Sequence, residues 1–182
     1  MKGIIFTEFL EMVESAHSLD FVDELIDASD LPRDGSYTSV GTYPCSELVS
    51  LLMLYSERVG TPPDDLLKAF GHKLFDRFHV LYPEFFGTSK DAFAFLEGVD
   101  AYIHMEVRKL YPEAELPSFE PHRDAKGNLA LEYRSARPLA ALAEGLILGC
   151  MDHFGESADL EVEDRSAGAG THALFSMRRP AA

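Results

Sequence analysis

The 182-residue chain carries 31 acidic against 16 basic side chains, a formal net charge of −15, and is 46% apolar and 26% charged. Those figures suit one globular domain with a sizeable core, and the charge argues against nucleic acid or anionic lipid as partners, since no Lys/Arg cluster reverses it locally. No run reaches the ~18–20 apolar residues of a membrane span, and Met1–Phe6 is too short for a signal-peptide core. Two cysteines, Cys45 and Cys150, make no disulfide framework, so a cytoplasmic, reduced protein is expected.

The spacing of Ile5, Phe6, Phe9, Leu10 and Val13 predicts a helix over 2–16, and Phe21, Val22, Leu25 and Ile26 one over 19–29. Pro32, Asp34-Gly35 and Gly41 mark 30–42 as a loop. Ser46-Glu47 opens a helix that runs to Val59 and stops at Gly60. Thr61-Pro62-Pro63-Asp64 starts the next, through Leu66, Phe70, Leu74 and Phe78 towards Tyr82-Pro83. A long helix over 89–111 carries Phe93, Leu96, Val99, Ile103 and Val107 on one side, and Pro112 ends it.

After Pro117 the period changes to that of a strand over Asn128–Ser135, with Ser118–His122 as its hairpin partner across Asp124–Gly127. Pro138–Phe154 returns to helix, and Leu160–Glu163 and His172–Met177 form a second pair of strands around Gly168-Ala169-Gly170. The expected fold is α+β: a helical N-terminal lobe, about 1–60, and a core, about 61–182, with a C-terminal antiparallel sheet and a crossing helix.

No Gly-rich phosphate loop, nucleophile elbow, Cys-x-x-Cys or His-Glu-x-x-His pattern occurs, so no nucleophile–base pair emerges and an enzyme is not expected. Cys150 and His153, three apart on a helix, read as a buried thiol and a helix-end imidazole, because zinc wants three or four ligands. Among the seven histidines, His104 stands out, mid-helix beside the stripe of Val99, Ile103 and Val107. A neutral imidazole there can ligate iron through one nitrogen while the other donates a hydrogen bond; a satisfied core histidine is the plain alternative. Tyr133, Ser135 and Arg137, at i, i+2 and i+4, would leave one face of a strand and offer donors suited to a carboxylate; a polar outer face is the alternative.

Together these residues resemble the haem nitric oxide/oxygen-binding (H-NOX) family over essentially the whole chain. Tyr133-Arg134-Ser135-Ala136-Arg137 fits its Tyr-x-Ser-x-Arg signature, about 30 residues after a helical His. Met1-Lys2-Gly3-Ile4-Ile5, Lys109-Leu110-Tyr111-Pro112 and Ala143–Gly149 also look like family segments. The resemblance implies haem b between the two parts, with His104 as the iron ligand and Tyr133, Ser135 and Arg137 on the propionates. It implies that Ile5 and Pro117 press on the porphyrin and that Phe9, Phe78 and Leu142 line the distal pocket. Oxygen-binding members place Tyr where Leu142 stands, so a sensor of NO that also binds CO and excludes O₂ is expected, unless His72 or His79 supplies a distal donor. Some relatives carry a zinc-binding Cys cluster in the C-terminal sheet; Asp164–His172 has no Cys, and no zinc is expected there. The resemblance further implies a switch in which NO weakens the bond between iron and His104 and the His104 helix moves. Its effector would be separate: a histidine kinase or a cyclic-di-GMP cyclase/phosphodiesterase. A haem-free module binding a small carboxylate, or a protein-interaction domain, is the competing reading.

Overall fold

A computed structural model describes residues 1–87 and 89–180. The chain divides into two compact units, Met1–Phe70 and Gly71–Ala182, with the boundary inside a helix.

The first unit holds α1 (Gly3–Ala16), α2 (Leu19–Ala28), a 3₁₀ turn (Pro32–Gly35), α3 (Cys45–Val59) and the first turns of α4 (Pro63–Leu81). The expected apolar stripe of α1 is its buried face: Phe6, Phe9 and Val13 are sealed, as are Leu48 and Leu51 of α3. Phe6 stacks on Tyr37 with centroids 4.5 Å apart, and Phe9 meets Tyr55 and Phe70 edge-on at 6.2 and 5.3 Å. Glu47 is buried, and its carboxylate accepts a 2.9 Å bond from the Tyr37 hydroxyl. Gly3 opens α1 where the Thr38 carbonyl leaves no room for a side chain. Gly60 ends α3 in the left-handed conformation, φ 69°, which glycine adopts without a steric penalty.

The second unit begins with the remainder of α4 and a 3₁₀ turn (Pro83–Phe85). Then come α5 (Ala92–Gly98), a π-helical turn (Val99–Ile103) and α6 (His104–Leu110). Strands β1 (Ser118–Arg123) and β2 (Leu129–Arg134), α7 (Ala140–His153), and strands β3 (Asp159–Asp164) and β4 (His172–Arg178) complete it. The four strands form one antiparallel sheet in the order β1-β2-β4-β3. Period-two alternation turns Leu129, Leu131 and Tyr133 of β2 and Ala173, Phe175 and Met177 of β4 into the core, where they join Phe93, Ile147, Cys150 and Met151. Helix α7 packs on α4 through small residues: a Cβ on Gly149 would lie 2.8 Å from that of Phe75, and one on Gly71 would collide with the Leu142 carbonyl. The fold is α+β, as the chain-order pattern indicated.

Two local expectations are corrected. The single helix predicted over 89–111 is three pieces, because the His104 amide donates to Val99 O, five residues back, rather than four. The strand predicted through Ser135 ends at Arg134, because the Ser135 hydroxyl turns the chain by accepting the Arg137 amide at 3.0 Å.

Candidate functional site

His104 is the first residue of α6, immediately after the π turn. Its side chain is 13% exposed, and Nδ1 lies 2.9 Å from Asp100 Oδ1. A carboxylate offers only lone pairs, so Nδ1 carries the proton and donates. The same Asp100 oxygen is 3.7 Å from Arg108 Nη2, so the carboxylate sits between an imidazole and a guanidinium. Burial pushes the His104 imidazole below its ordinary pKa, against the upward pull of Asp100. The neutral tautomer with Nδ1–H leaves Nε2 as the atom able to ligate a metal.

The chain from Glu115 to Phe119 gathers the other polar groups. The Phe119 ring lies 5.9 Å from His104 and 5.4 Å from Tyr133, its register partner across β1 and β2. Tyr133 is buried, with Phe175 as a further ring neighbour at 6.1 Å. Arg137 donates through Nη1 to the Glu115 carbonyl at 2.6 Å and through Nη2 to the Glu115 carboxylate at 2.8 Å. Arg137 is mostly covered, at 16%, whereas Glu115 is 77% exposed. Three of the side chains singled out by sequence therefore meet one short segment: Arg137 at Glu115, and His104 and Tyr133 at Phe119.

Ser135 and Arg137 do not continue the face of Tyr133, as strict alternation would require. They lie beyond the strand, in the turn that Ser135 makes with Arg137, while the Ser135 amide still donates to Thr171 O at 2.8 Å. Pro138, which lacks an amide hydrogen, follows directly.

Leu142 is buried on the first turns of α7, where α4 crosses at Gly71. Phe78 is half-buried and lies seven residues, about 10 Å, further along α4, with Tyr82 as a ring neighbour at 6.1 Å. His72 and His79 turn to the other end of α7. His72 Nε2 is 2.7 Å from Asp152 Oδ2, and the His79 ring lies 4.2 Å from His153. Residues 152–153 are ten or more positions from Leu142, about 15 Å along the helix, so neither imidazole is aimed at it. Ile5 and Phe9 belong to the first unit: Ile5 is half-buried on α1, and Phe9 is sealed in that unit's core.

Cys150 is fully buried, its thiol directed at the Ala92 carbonyl and its pKa pushed up by burial, and His153 stands at the C-terminus of α7. On the sheet's other face, Glu120, His122 and Glu132 bring their ligand atoms within 4.8 Å of one another. Glu132 is already engaged by His172 at 2.8 Å and Arg134 at 2.6 Å. Sequence reading did not single out Asp100, Arg108, Glu115 or Phe119. Only Asp100 left a usable signal, one helical turn before His104.

The donor set is a neutral imidazole, two hydroxyl-bearing side chains and a guanidinium that already grips a carboxylate. It fits a ligand that carries both a metal and carboxylates.

Among the described residues no helix is long and apolar enough to cross a membrane. No protein of curated function matches the chain. The profile of the Haem-NO-binding family matches residues 2–162. Among solved structures, the unliganded Fe(II) H-NOX protein of K. algicida is 37% identical with a TM-score of 0.93, covering 100% of this chain and 98% of that one. An H-NOX protein from S. oneidensis in the Fe(II)NO state is 30% identical, covers 100% of both chains and has a TM-score of 0.92. The IWP-051-bound H-NOX of Shewanella woodyi in the Fe(II)CO state is 37% identical, covers 99% of this chain and 95% of that one, and has a TM-score of 0.84. The profile match over most of the chain, with relatives this similar along their whole length, means that the chain belongs to the haem-NO-binding, or H-NOX, family.

Proposed function

We propose that this chain is a haem-based sensor that takes NO and CO at ferrous haem b, excludes O₂, and regulates a separate effector. The observation that carries the reading is His104: a mostly covered, neutral imidazole whose Nδ1 is committed to Asp100, leaving Nε2 for iron. Arg137 supports it, because its guanidinium already holds a carboxylate as it would hold a propionate. Tyr133 and Ser135 would supply the remaining donors, and Pro117 would border the macrocycle. Haem supplies a ferrous iron able to take a diatomic gas as ligand.

The choice of gas rests on what Leu142 and Phe78 lack. Neither side chain has a hydrogen-bond donor, while His72 is paired with Asp152 and the His79 ring packs against His153, at the far end of α7 from Leu142. Bound O₂ carries partial negative charge and needs a donor, whereas NO does not. Relatives solved with Fe(II)NO and Fe(II)CO support the two proposed ligands. The effector, by family resemblance, is a histidine kinase or a cyclic-di-GMP cyclase/phosphodiesterase, and the setting is cytoplasmic.

The test is the absorption spectrum of the reduced protein alone and with each gas. NO and CO should each shift the Soret band, and air should give no stable oxygenated species. A stable spectrum with O₂ would refute the selectivity, and a protein that stays colourless after haem supply would refute the reading.

A further inference from the structure

The pair behind His104 is unlike an ordinary helix-surface ion pair. Asp100 is inside the π turn, and the wider turn ends at His104 itself, whose amide reaches back to Val99. The imidazole is 13% exposed and the Asp100 side chain 34%, so the 2.9 Å bond between them is partly shielded from water. Arg108 approaches the same Asp100 oxygen from the solvent side, at 3.7 Å, with its side chain 46% exposed. The two partners compete for one oxygen. Whatever electron density Asp100 gives to Arg108 it withholds from the imidazole.

We infer that Asp100 is a positioning residue that sets the donor strength of His104 towards iron, and that Arg108 attenuates it. This rests on His104 as the iron ligand. A carboxylate accepting from Nδ1–H fixes the ring's tautomer and orientation and makes Nε2 a stronger base. A cation on the same oxygen weakens that acceptor and so lowers the basicity of Nε2. The strength of the iron–imidazole bond is thereby adjustable from the surface of α6, at Arg108, without a change in any residue that touches haem.

The two partners make opposite predictions, which a merely structural role does not. Asp100→Asn keeps the size and an acceptor oxygen but removes the charge, so the iron–histidine stretching band of the ferrous, unliganded protein should move to lower frequency. Arg108→Ala should move it to higher frequency. Asp100→Ala, which removes the acceptor altogether, should raise the rate of haem loss by about 10- to 100-fold, the usual cost of deleting a partner behind a metal ligand. Far-UV circular dichroism of each variant separates these effects from misfolding, and Arg108→Ala, on an exposed side chain, keeps the test alive if the Asp100 variants do not fold. Shifts of the same sign in both variants, or no shift in either, would overturn the inference while leaving His104 as ligand. Absence of any iron–histidine band in the wild-type protein would instead overturn the ligand assignment, and this inference with it.

Discussion

Replacing Arg137 with Ala isolates the contribution of the carboxylate-gripping guanidinium. A hydrogen bond to a charged partner contributes about 1.5–3 kcal/mol. Arg137 must first release the Glu115 carboxylate, an ion pair whose Glu is 77% exposed. Such a pair is worth about 0–1 kcal/mol. The difference leaves about 0.5–3 kcal/mol for binding a propionate, or about a 2- to 140-fold change in haem affinity at ~1.4 kcal/mol per tenfold. Transfer of haem to excess apomyoglobin, followed at the Soret band, reads this directly, and Arg137→Ala should release haem faster by that factor. Arg137→Lys keeps the charge but loses the two-pronged donor, so it should fall between the two. Glu115→Ala removes the competitor but leaves the main-chain carbonyl that Arg137 also holds at 2.6 Å. It should therefore hold haem as well as the wild type, or slightly better. The reasoning fails if Arg137→Ala retains haem like the wild type, or if Glu115→Ala loses it as fast as Arg137→Ala does.

Leu142→Tyr places a hydroxyl donor on the buried first turns of α7, and should give an oxygenated ferrous species in air while NO binding persists. Overpacking should cost about 1–3 kcal/mol of stability, and continued exclusion of O₂ by the folded variant would count against the donor argument. Cys150 should resist a thiol reagent in the native protein, because burial holds its pKa high and its side chain is inaccessible, while half-buried Cys45 reacts first. Equal labelling rates would contradict this. Asp91 caps α5 by accepting the Ala94 amide at 2.7 Å, so Asp91→Ala should cost about 1 kcal/mol in urea unfolding at neutral pH. That amide is the main cause of a lowered Asp91 pKa. Its stabilisation is therefore complete above the unfolded carboxyl's value of about 4, and is lost as pH falls through the depressed folded value. The gap between variant and wild type should shrink towards acid pH, and a gap independent of pH would refute the capping account.

Burial decided which parts of this fold were legible in the chain. Phe6, Phe9 and Val13 recur at helical spacing because one face of α1 is buried, and Leu129, Leu131 and Tyr133 alternate because one face of β2 is. The π turn left no such trace: Val99 and Ile103 keep the apolar spacing of an α-helix, and only the hydrogen bond from the His104 amide to Val99 distinguishes it. Ser135 and Arg137 misled because the alternation was extended past Arg134, where a side chain, not the ladder, takes the Arg137 amide. Glu115 lies in a loop with no period, and its 22-residue separation from Arg137 is invisible to any local pattern. His104 itself was legible through the motif that follows it; the Asp100 and Arg108 pair around it became visible only with the helix in three dimensions.

The central claim is that His104 holds haem, and replacing it with Gly tests that most directly. The ferrous wild-type protein should show a five-coordinate histidine-ligated spectrum. His104→Gly should lose that spectrum and regain it when free imidazole is added to fill the vacated position. A His104→Gly protein that keeps the wild-type ferrous spectrum without imidazole would contradict the account.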